Sequence, residues 1–175
     1  QDEPGPDGLH PVGVITVIHK MAKQADGTVR LVVQGLSRFR LVEVLQQKQY
    51  LRARIETLAE PTEAPSDVES QALMRNAVAL FQKIVSLSPL LPDEAAGLPV
   101  NIPQPGVLAD VIAATLPTLP TAAKQELLET LDVKLRLQKV VTLLTKEAEV
   151  LELGSKIQSE VQSEMSKTQR EYYLR

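Results

Sequence analysis

The chain has 175 residues, a formal net charge of -3, 43% hydrophobic residues, no cysteine and no tryptophan. A chain of this length can bury a hydrophobic core without covalent staples, and the absence of cysteine excludes disulfides, zinc–thiolate sites and thiol nucleophiles from it. Nearly balanced charge gives no reason to expect a nucleic-acid partner, and no apolar run approaches the ~20 residues of a membrane-spanning helix.

The first 58 residues predict a β-rich subdomain. Short β-branched or alternating runs predict strands over residues 12–18, 28–34, 39–45 and 50–57. Asp26-Gly27 is a strong hairpin signal between the first two, and Gly35 is expected to end the second. In the last run, Leu51, Ala53 and Ile55 are expected to face a core, and Arg52, Arg54 and Glu56 to face water. The strands predict an antiparallel meander or a partly open, barrel-like sheet that is incomplete at its start.

Residues 59–67 contain two prolines and several acids, which break every periodicity, and they predict a linker. A capping box at Ser66–Glu69 then predicts the start of a helix. Pro89 and Pro92 end this helix, and Pro105-Gly106 opens another over residues 107–116. Residues 68–152 therefore predict a helical bundle, with apolar faces formed by Leu73, Ala77, Leu80, Phe81 and Ile84, and by Leu127, Leu131, Leu135, Val141 and Leu144.

Residues 153–175 predict a long, coiled-coil-like helix. Gly154 is the expected break from the bundle, after which a narrow apolar seam is formed by Ile157, Val161, Met165, Thr168 and Tyr172. A narrow stripe on a charged helix indicates a partner or oligomer surface rather than a globular core. The helical pattern continues to the last residue, and the first eight residues are polar without the layout of a signal peptide. We therefore expect the chain to be a piece of a longer protein.

The predicted β region is basic: residues 9–56 contain eight Lys or Arg and three acids, a net charge of +5. This charge indicates either an anionic partner or simply the solvated outer faces of strands.

No catalytic, cofactor-binding or metal-binding residues emerge from the pattern. His10 and His19 are the only histidines; neither belongs to a Ser–His–Asp arrangement, and the eight glycines form no phosphate-binding loop. Candidate residues remain at the surface. Met21 lies near the predicted hairpin, and Leu90 and Leu91 lie between two prolines. If exposed, these flexible or apolar side chains would form a patch for unfolded chains; the alternative is that all three are buried.

Several phrases in chain order resemble the amino-terminal domain of Lon, the ATP-dependent protease. They are residues 13–21, 26–30 and 33–40 in the β region, residues 108–114, 124–129 and 132–137 in the helical region, and the closing residues 169–175.

The resemblance implies an α+β fold, a β-rich subdomain followed by a helical bundle and a long helix, that recognises damaged or unfolded proteins and helps assembly. It implies a parent protein that is a homohexameric serine endopeptidase using ATP and Mg, in the bacterial cytoplasm rather than the mitochondrial matrix. No catalytic or nucleotide-binding residue of that family falls on this chain, and we expect no cofactor, nucleic acid or membrane partner for it. The alternative function is a stand-alone adaptor or scaffold that dimerises through its C-terminal helix.

Overall fold

The computed structural model describes the backbone of residues 5–60 and 67–173, and their side chains except at 168 and 170–173. Within these residues, three strands precede four α-helices: β1 (Val12–Lys23), β2 (Val29–Gln46), β3 (Arg52–Leu58), α1 (Val68–Leu87), α2 (Pro105–Thr115), α3 (Thr121–Glu129) and α4 (Val133–Tyr173). The predicted α+β class is confirmed.

The chain divides into two compact units, Gln1–Pro61 and Thr62–Arg175, called here the β unit and the helical unit. Each has its own secondary structure, strands in the first and helices in the second. Most of the predicted linker, at residues 61–66, lies outside the described residues. The limits predicted for the domains therefore stay predictions.

The β unit is an open antiparallel sheet with strand order β1-β2-β3. The hairpin predicted at Asp26-Gly27 is confirmed and joins β1 to β2. Gly27 has a φ of 86°, which glycine adopts without steric cost. The Asp26 carboxylate accepts hydrogen bonds from the Thr28 backbone amide at 2.9 Å and from the Thr28 hydroxyl at 2.6 Å. These bonds hold the pKa of Asp26 below its usual value.

The prediction of four strands was wrong, because β2 does not end at Gly35. The pairing register shifts where Ile15 and Thr16 lie opposite Ser37 and Gly35. A β-bulge absorbs the extra residue here and lets the strand continue. Two predicted strands therefore form one strand of 18 residues.

Few side chains of the β unit are buried. Among its described residues, Val12 and Arg38 are in the buried class, and Arg38 forms an ion pair with Glu60. The ring of Phe39 covers Gly13 so closely that a Cβ atom there would lie 2.5 Å from the ring. The prediction that Leu51, Ala53 and Ile55 face a core was wrong, because all three are exposed, Leu51 and Ile55 at 41% each.

Helix α1 begins at a cap different from the one predicted. Asp67 is the N-cap, and its carboxylate accepts a hydrogen bond from the Ser70 amide at 2.8 Å. This bond is the largest cause of a lowered pKa at Asp67. Ser66 lies outside the described residues. Glu69 pairs with Lys134 of α4 at 2.5 Å, and this hydrogen bond raises the pKa of Lys134.

The helical unit closes around one hydrophobic core. Helices α1, α2, α3 and α4 each contribute buried side chains, among them Ala77, Phe81, Ile84, Leu108, Ile112, Leu127, Leu137, Val140, Leu144 and Ala148. The predicted apolar face of α1 is confirmed. On the second predicted face, Leu127 and Leu144 are buried, and Val141 packs against the core. Leu131 and Leu135 are exposed: Leu131 lies in the turn between α3 and α4, and Leu135 lies in the first turn of α4.

Helix α4 is a single helix of 41 residues, about 60 Å long at ~1.5 Å per residue. The predicted break at Gly154 was wrong. A glycine inside a helix costs about 1 kcal/mol relative to alanine, which a long helix without proline tolerates. The amino-terminal half contributes Leu137 and Leu144 to the core. Every described side chain from Glu152 to Lys167 is exposed.

Candidate functional site

The β1–β2 hairpin carries a cluster of exposed apolar side chains on one face. Met21 lies directly opposite Leu31, and Ile18 lies opposite Val33. Directly paired residues share a face of the sheet, and residues two apart along a strand do so as well. Val29 therefore lies on this face too. We call these five residues, Ile18, Met21, Val29, Leu31 and Val33, the Met21 patch.

The Met21 patch is accessible because the sheet is only two strands wide around it. Strand β1 pairs with residues 29–40 of β2, whereas β3 pairs with Arg38–Gln46. Within the described residues of the β unit, no third strand covers the patch. Met21 is 73% exposed, and the other four side chains are between 48% and 58% exposed. Scattered apolar residues are ordinary on a surface, but a contiguous cluster is a candidate interaction site.

The prediction that Met21 lies at the surface agrees with its exposure, and the structure adds its four neighbours. Sequence reasoning noted the alternation of Val29, Leu31 and Val33 but did not assign them to a site. The sequence did contain a signal for these neighbours, because Asp26-Gly27 fixes the position of the turn, and the turn fixes which residues of the two strands are paired. The bulge beside His19, where the register shifts between Ile18 and Lys20, could not be counted from the sequence, and it brings Ile18 onto the same face as Met21.

Leu90 and Leu91 differ from each other in exposure. Both lie in the connection between α1 and α2, in the helical unit. Leu90 is 65% exposed, whereas Leu91 is partly buried and packs against the helical core. The structure therefore supports only Leu90 as a surface residue. Leu98 and Val100 of the same connection are also exposed, and sequence analysis did not select them.

The predicted seam on α4 is exposed at Ile157, Val161 and Met165. It begins earlier than predicted, because Val150 and Leu153 are exposed on the same helix. The side chain of Tyr172 lies outside the described residues. These apolar residues repeat every three or four positions, and such spacing forms a stripe along a helix.

A groove of about 310 Å³ lies between α3 and α4. Leu127, Leu135 and Leu143 form part of its lining. The charged groups at the groove, Lys139 and Glu126, pair with each other at 2.7 Å. Because these charges already satisfy each other, the groove presents no free charge to a ligand.

Other candidate chemistry finds no support in the described residues. His19 Nε2 lies 2.8 Å from Gln34 Oε1 on an exposed surface. In the part of the chain that the structure describes, no three His, Asp or Glu side chains come together as a metal site. No helix there has the length and apolar character needed to cross a membrane.

Residues 1–146 match the family model described as the ATP-dependent protease La (LON) substrate-binding domain. The chain is 46% identical over 174 residues to the Lon protease of Koribacter versatilis, with 99% of this chain covered. It is 39% identical over 174 residues to Lon protease 1 of Bacillus subtilis, again with 99% covered. The chain spans 21% of the length of the first relative and 22% of the second.

Two solved structures share the fold. The N-terminal domain of a Mycobacterium avium complex Lon protease aligns with a TM-score of 0.60 at 23% identity, covering 77% of this chain and 70% of that one. A Lon N-terminal domain protein from Xanthomonas campestris aligns with a TM-score of 0.52 at 18% identity, covering 76% of this chain and 68% of that one.

Proposed function

Because the chain belongs to the Lon protease family and carries its substrate-binding domain, we propose that it is the substrate-recognition and assembly module of an ATP-dependent Lon-type protease. The parent protein is a homohexameric serine endopeptidase that uses ATP and Mg to degrade misfolded and regulatory proteins. The relatives are bacterial, and a bacterial cytoplasmic location is part of this proposal.

The Met21 patch is the observation that carries the proposal. Its five side chains are each about half exposed or more, on a hairpin face that the third strand of the β unit does not reach. Removing apolar area from water contributes about 25 cal/mol per Å², without requiring any particular sequence in the partner. Such a surface holds exposed apolar segments of unfolded chains weakly. Several copies in a ring then raise the overall affinity through avidity.

A single substitution tests this role. Met21→Asp places a charge in the centre of the patch, and we expect it to weaken binding of a permanently unfolded, fluorescently labelled polypeptide about fivefold, because roughly 1 kcal/mol of apolar contact is lost. Fluorescence anisotropy with the 175-residue chain measures this affinity. In the full-length protein, degradation of the same polypeptide at limiting concentration falls in parallel.

Leu45→Asp is the matched control. Leu45 is 55% exposed on β2, at the end of the strand opposite the patch, about 40 Å away at ~3.3 Å per residue. Its substitution is expected to leave binding unchanged. Equal binding by the Met21→Asp variant and the parent removes the patch from the proposal. Equal losses in both variants indicate non-specific adhesion instead.

The exposed seam on α4 favours a second function, a stand-alone adaptor or scaffold that dimerises through this helix. The seam includes Ile157 and Val161, which are each more than half exposed. Sedimentation equilibrium separates the two functions. A tight dimer that an Ile157→Asp, Val161→Asp variant converts to monomer favours the scaffold; a monomer or a weak oligomer favours the ring subunit.

A further inference from the structure

The Met21 patch lies in a field of positive charge. Lys23 is on the same face as Met21, directly opposite Val29. Lys20 and Arg30 are on the reverse face of the hairpin, each next in sequence to a residue of the patch. Residues 12–36 contain these three cations and a single acid, Asp26, which gives a net charge of +2. Each of these cations therefore lies within two residues of a residue of the patch along its own strand.

The cations around the patch are not neutralised within the described part of the β unit. Toward the opposite end of the sheet, Arg40 pairs with Glu56 at 3.3 Å and Arg54 pairs with Glu43 at 3.4 Å. By contrast, Lys20, Lys23 and Arg30 form no ion pair with any other residue in 5–60. Among these residues, the charge around the patch is therefore not balanced by direct pairing.

The single acid of the hairpin, Asp26, is hydrogen-bonded within the turn. Asp26 accepts hydrogen bonds from the backbone amide and the hydroxyl of Thr28, which hold the carboxylate at the tip of the hairpin. It forms no ion pair with Lys20 among residues 5–60, and its negative charge is already included in the net charge of +2.

We propose, on the premise of the proposed function, that the Met21 patch selects apolar segments with acidic flanking residues over the same segments with basic flanks. The apolar core of the segment supplies most of the affinity through contact with the patch. The flanks discriminate, because acidic residues gain attraction from Lys20, Lys23 and Arg30, and basic residues are repelled. The substrate class is therefore unfolded polypeptide with an acidic, apolar, acidic pattern.

Three matched peptides test the selection. They share an apolar core of about five residues and carry Glu, Gln or Lys at both flanks, and anisotropy measures their affinity for the 175-residue chain. We expect the Glu-flanked peptide to bind about tenfold more tightly than the Lys-flanked one at ~0.01 M salt, where the Debye length is about 30 Å. The ratio is expected to fall to about twofold at ~0.3 M salt, because screening weakens exposed pairs.

Two sets of variants locate the selection. Combining Lys20→Gln, Lys23→Gln and Arg30→Gln is expected to remove the difference between peptides while leaving binding of the Gln-flanked peptide within about twofold, since the apolar contacts remain. The control combines Lys48→Gln and Arg52→Gln, which remove exposed cations far from the patch. The control is expected to retain the discrimination.

The outcomes distinguish this inference from the function on which it rests. If the Gln-flanked peptide does not bind, or binds equally well to the Met21→Asp variant, the proposed function fails and the selection fails with it. If the Gln-flanked peptide binds in a Met21-dependent way but the Glu and Lys peptides have equal affinities, only the selection is overturned. A preference for Lys flanks, or discrimination that the control variant abolishes, overturns it as well.

Discussion

In the helical unit, large apolar side chains such as Phe81 and Leu137 are completely buried, whereas in the β unit side chains of the same type lie at the surface. The difference follows from geometry. A helix has one apolar stripe, and four helices of the helical unit turn their stripes toward each other. Around the Met21 patch the sheet is a two-stranded ribbon with two faces, and no other described strand of the β unit covers either one. The first arrangement stabilises the fold, and the second leaves apolar area available to a partner.

Helix α4 shows the same contrast within a single element. Its first half contributes Leu137, Val140 and Leu144 to the core, and its second half exposes Ile157 and Val161. The helix continues where packing ends because propensity and intrahelical hydrogen bonds suffice in a long helix once its first half is held. Apolar residues with similar spacing therefore serve as core in one half and as surface in the other.

Matched leucine substitutions test the comparison most directly. Leu137→Ala removes a side chain that is 0% exposed, and we expect it to lower the free energy of unfolding of the helical unit by about 2–5 kcal/mol, from lost transfer energy and a residual cavity. Leu31→Ala changes a side chain that is 48% exposed, and we expect a loss below about 1 kcal/mol.

Hydrogen exchange with mass spectrometry reads both units in the same sample. Leu137→Ala is expected to speed exchange in α1, α2 and α4, whereas Leu31→Ala changes exchange in β1 and β2 only slightly. Urea unfolding followed by circular dichroism gives the loss for Leu137→Ala. If Leu31→Ala destabilises its unit as strongly as Leu137→Ala does, the hairpin face is part of a core and the comparison fails.

A smaller loss of stability is expected at Arg136, the one charged side chain that is buried among the described residues of the helical unit. Arg136 is 0% exposed; its Nε donates to the Thr130 carbonyl at 2.8 Å, and its Nη1 lies 3.5 Å from the Asp110 carboxylate. It thereby ties the end of α3 and the side of α2 to α4. Arg136→Met keeps much of the apolar stem and removes the donors, so we expect a loss of about 1–3 kcal/mol.

The control for Arg136→Met is Asp110→Asn. Because the Asp110 side chain is 41% exposed, water replaces much of the lost ion pair, and we expect a loss below about 1 kcal/mol. Urea unfolding measures both variants. A larger loss of stability for Asp110→Asn than for Arg136→Met would show that Arg136 stabilises the helical unit through its ion pair rather than through its hydrogen bonds to backbone carbonyls.

Local signals in the sequence predicted the elements that depend on local chemistry. The Asp26-Gly27 hairpin and the buried face of α1 at Ala77, Phe81 and Ile84 follow from turn chemistry and helical periodicity. Gly35 and Gly154 misled the prediction, because glycine permits a break without requiring one. The strand continues through Gly35 because a bulge forms there, and the helix continues through Gly154 because α4 is long. Neither feature is visible in a short window of sequence.

The candidate site was also predictable only where it depends on local sequence. Met21 was selected by its residue type and its place near a turn. Its neighbours across the hairpin depend on the register, which two bulges shift. Leu91 was selected with Leu90, but only the three-dimensional core determines which of two adjacent leucines is buried. Periodicity finds apolar residues; whether another element covers them is a property of the whole fold.

The smallest predicted effect concerns pH and the start of α1. The hydrogen bond from the Ser70 amide holds the pKa of Asp67 below its usual value. A carboxyl with a lowered pKa in the folded state stabilises the fold above its unfolded pKa, and this contribution is lost as pH falls through the folded value. We therefore expect the helical unit to lose stability below about pH 4, and part of that loss to come from Asp67.

Asp67→Asn isolates this part, because asparagine caps a helix well but does not titrate in this range. Thermal unfolding followed at 222 nm, at several values between about pH 2 and pH 6, is compared for the variant and the parent. The parent is expected to be the more stable of the two above pH 4, with the difference shrinking toward pH 2, where both caps are neutral. A constant difference across this range would mean that Asp67 acts through its shape alone.

Asp26→Asn makes the equivalent change at the hairpin, where the pKa of Asp26 is also lowered. It should alter only the hydrogen exchange of the hairpin amides, because no packed core depends on that turn.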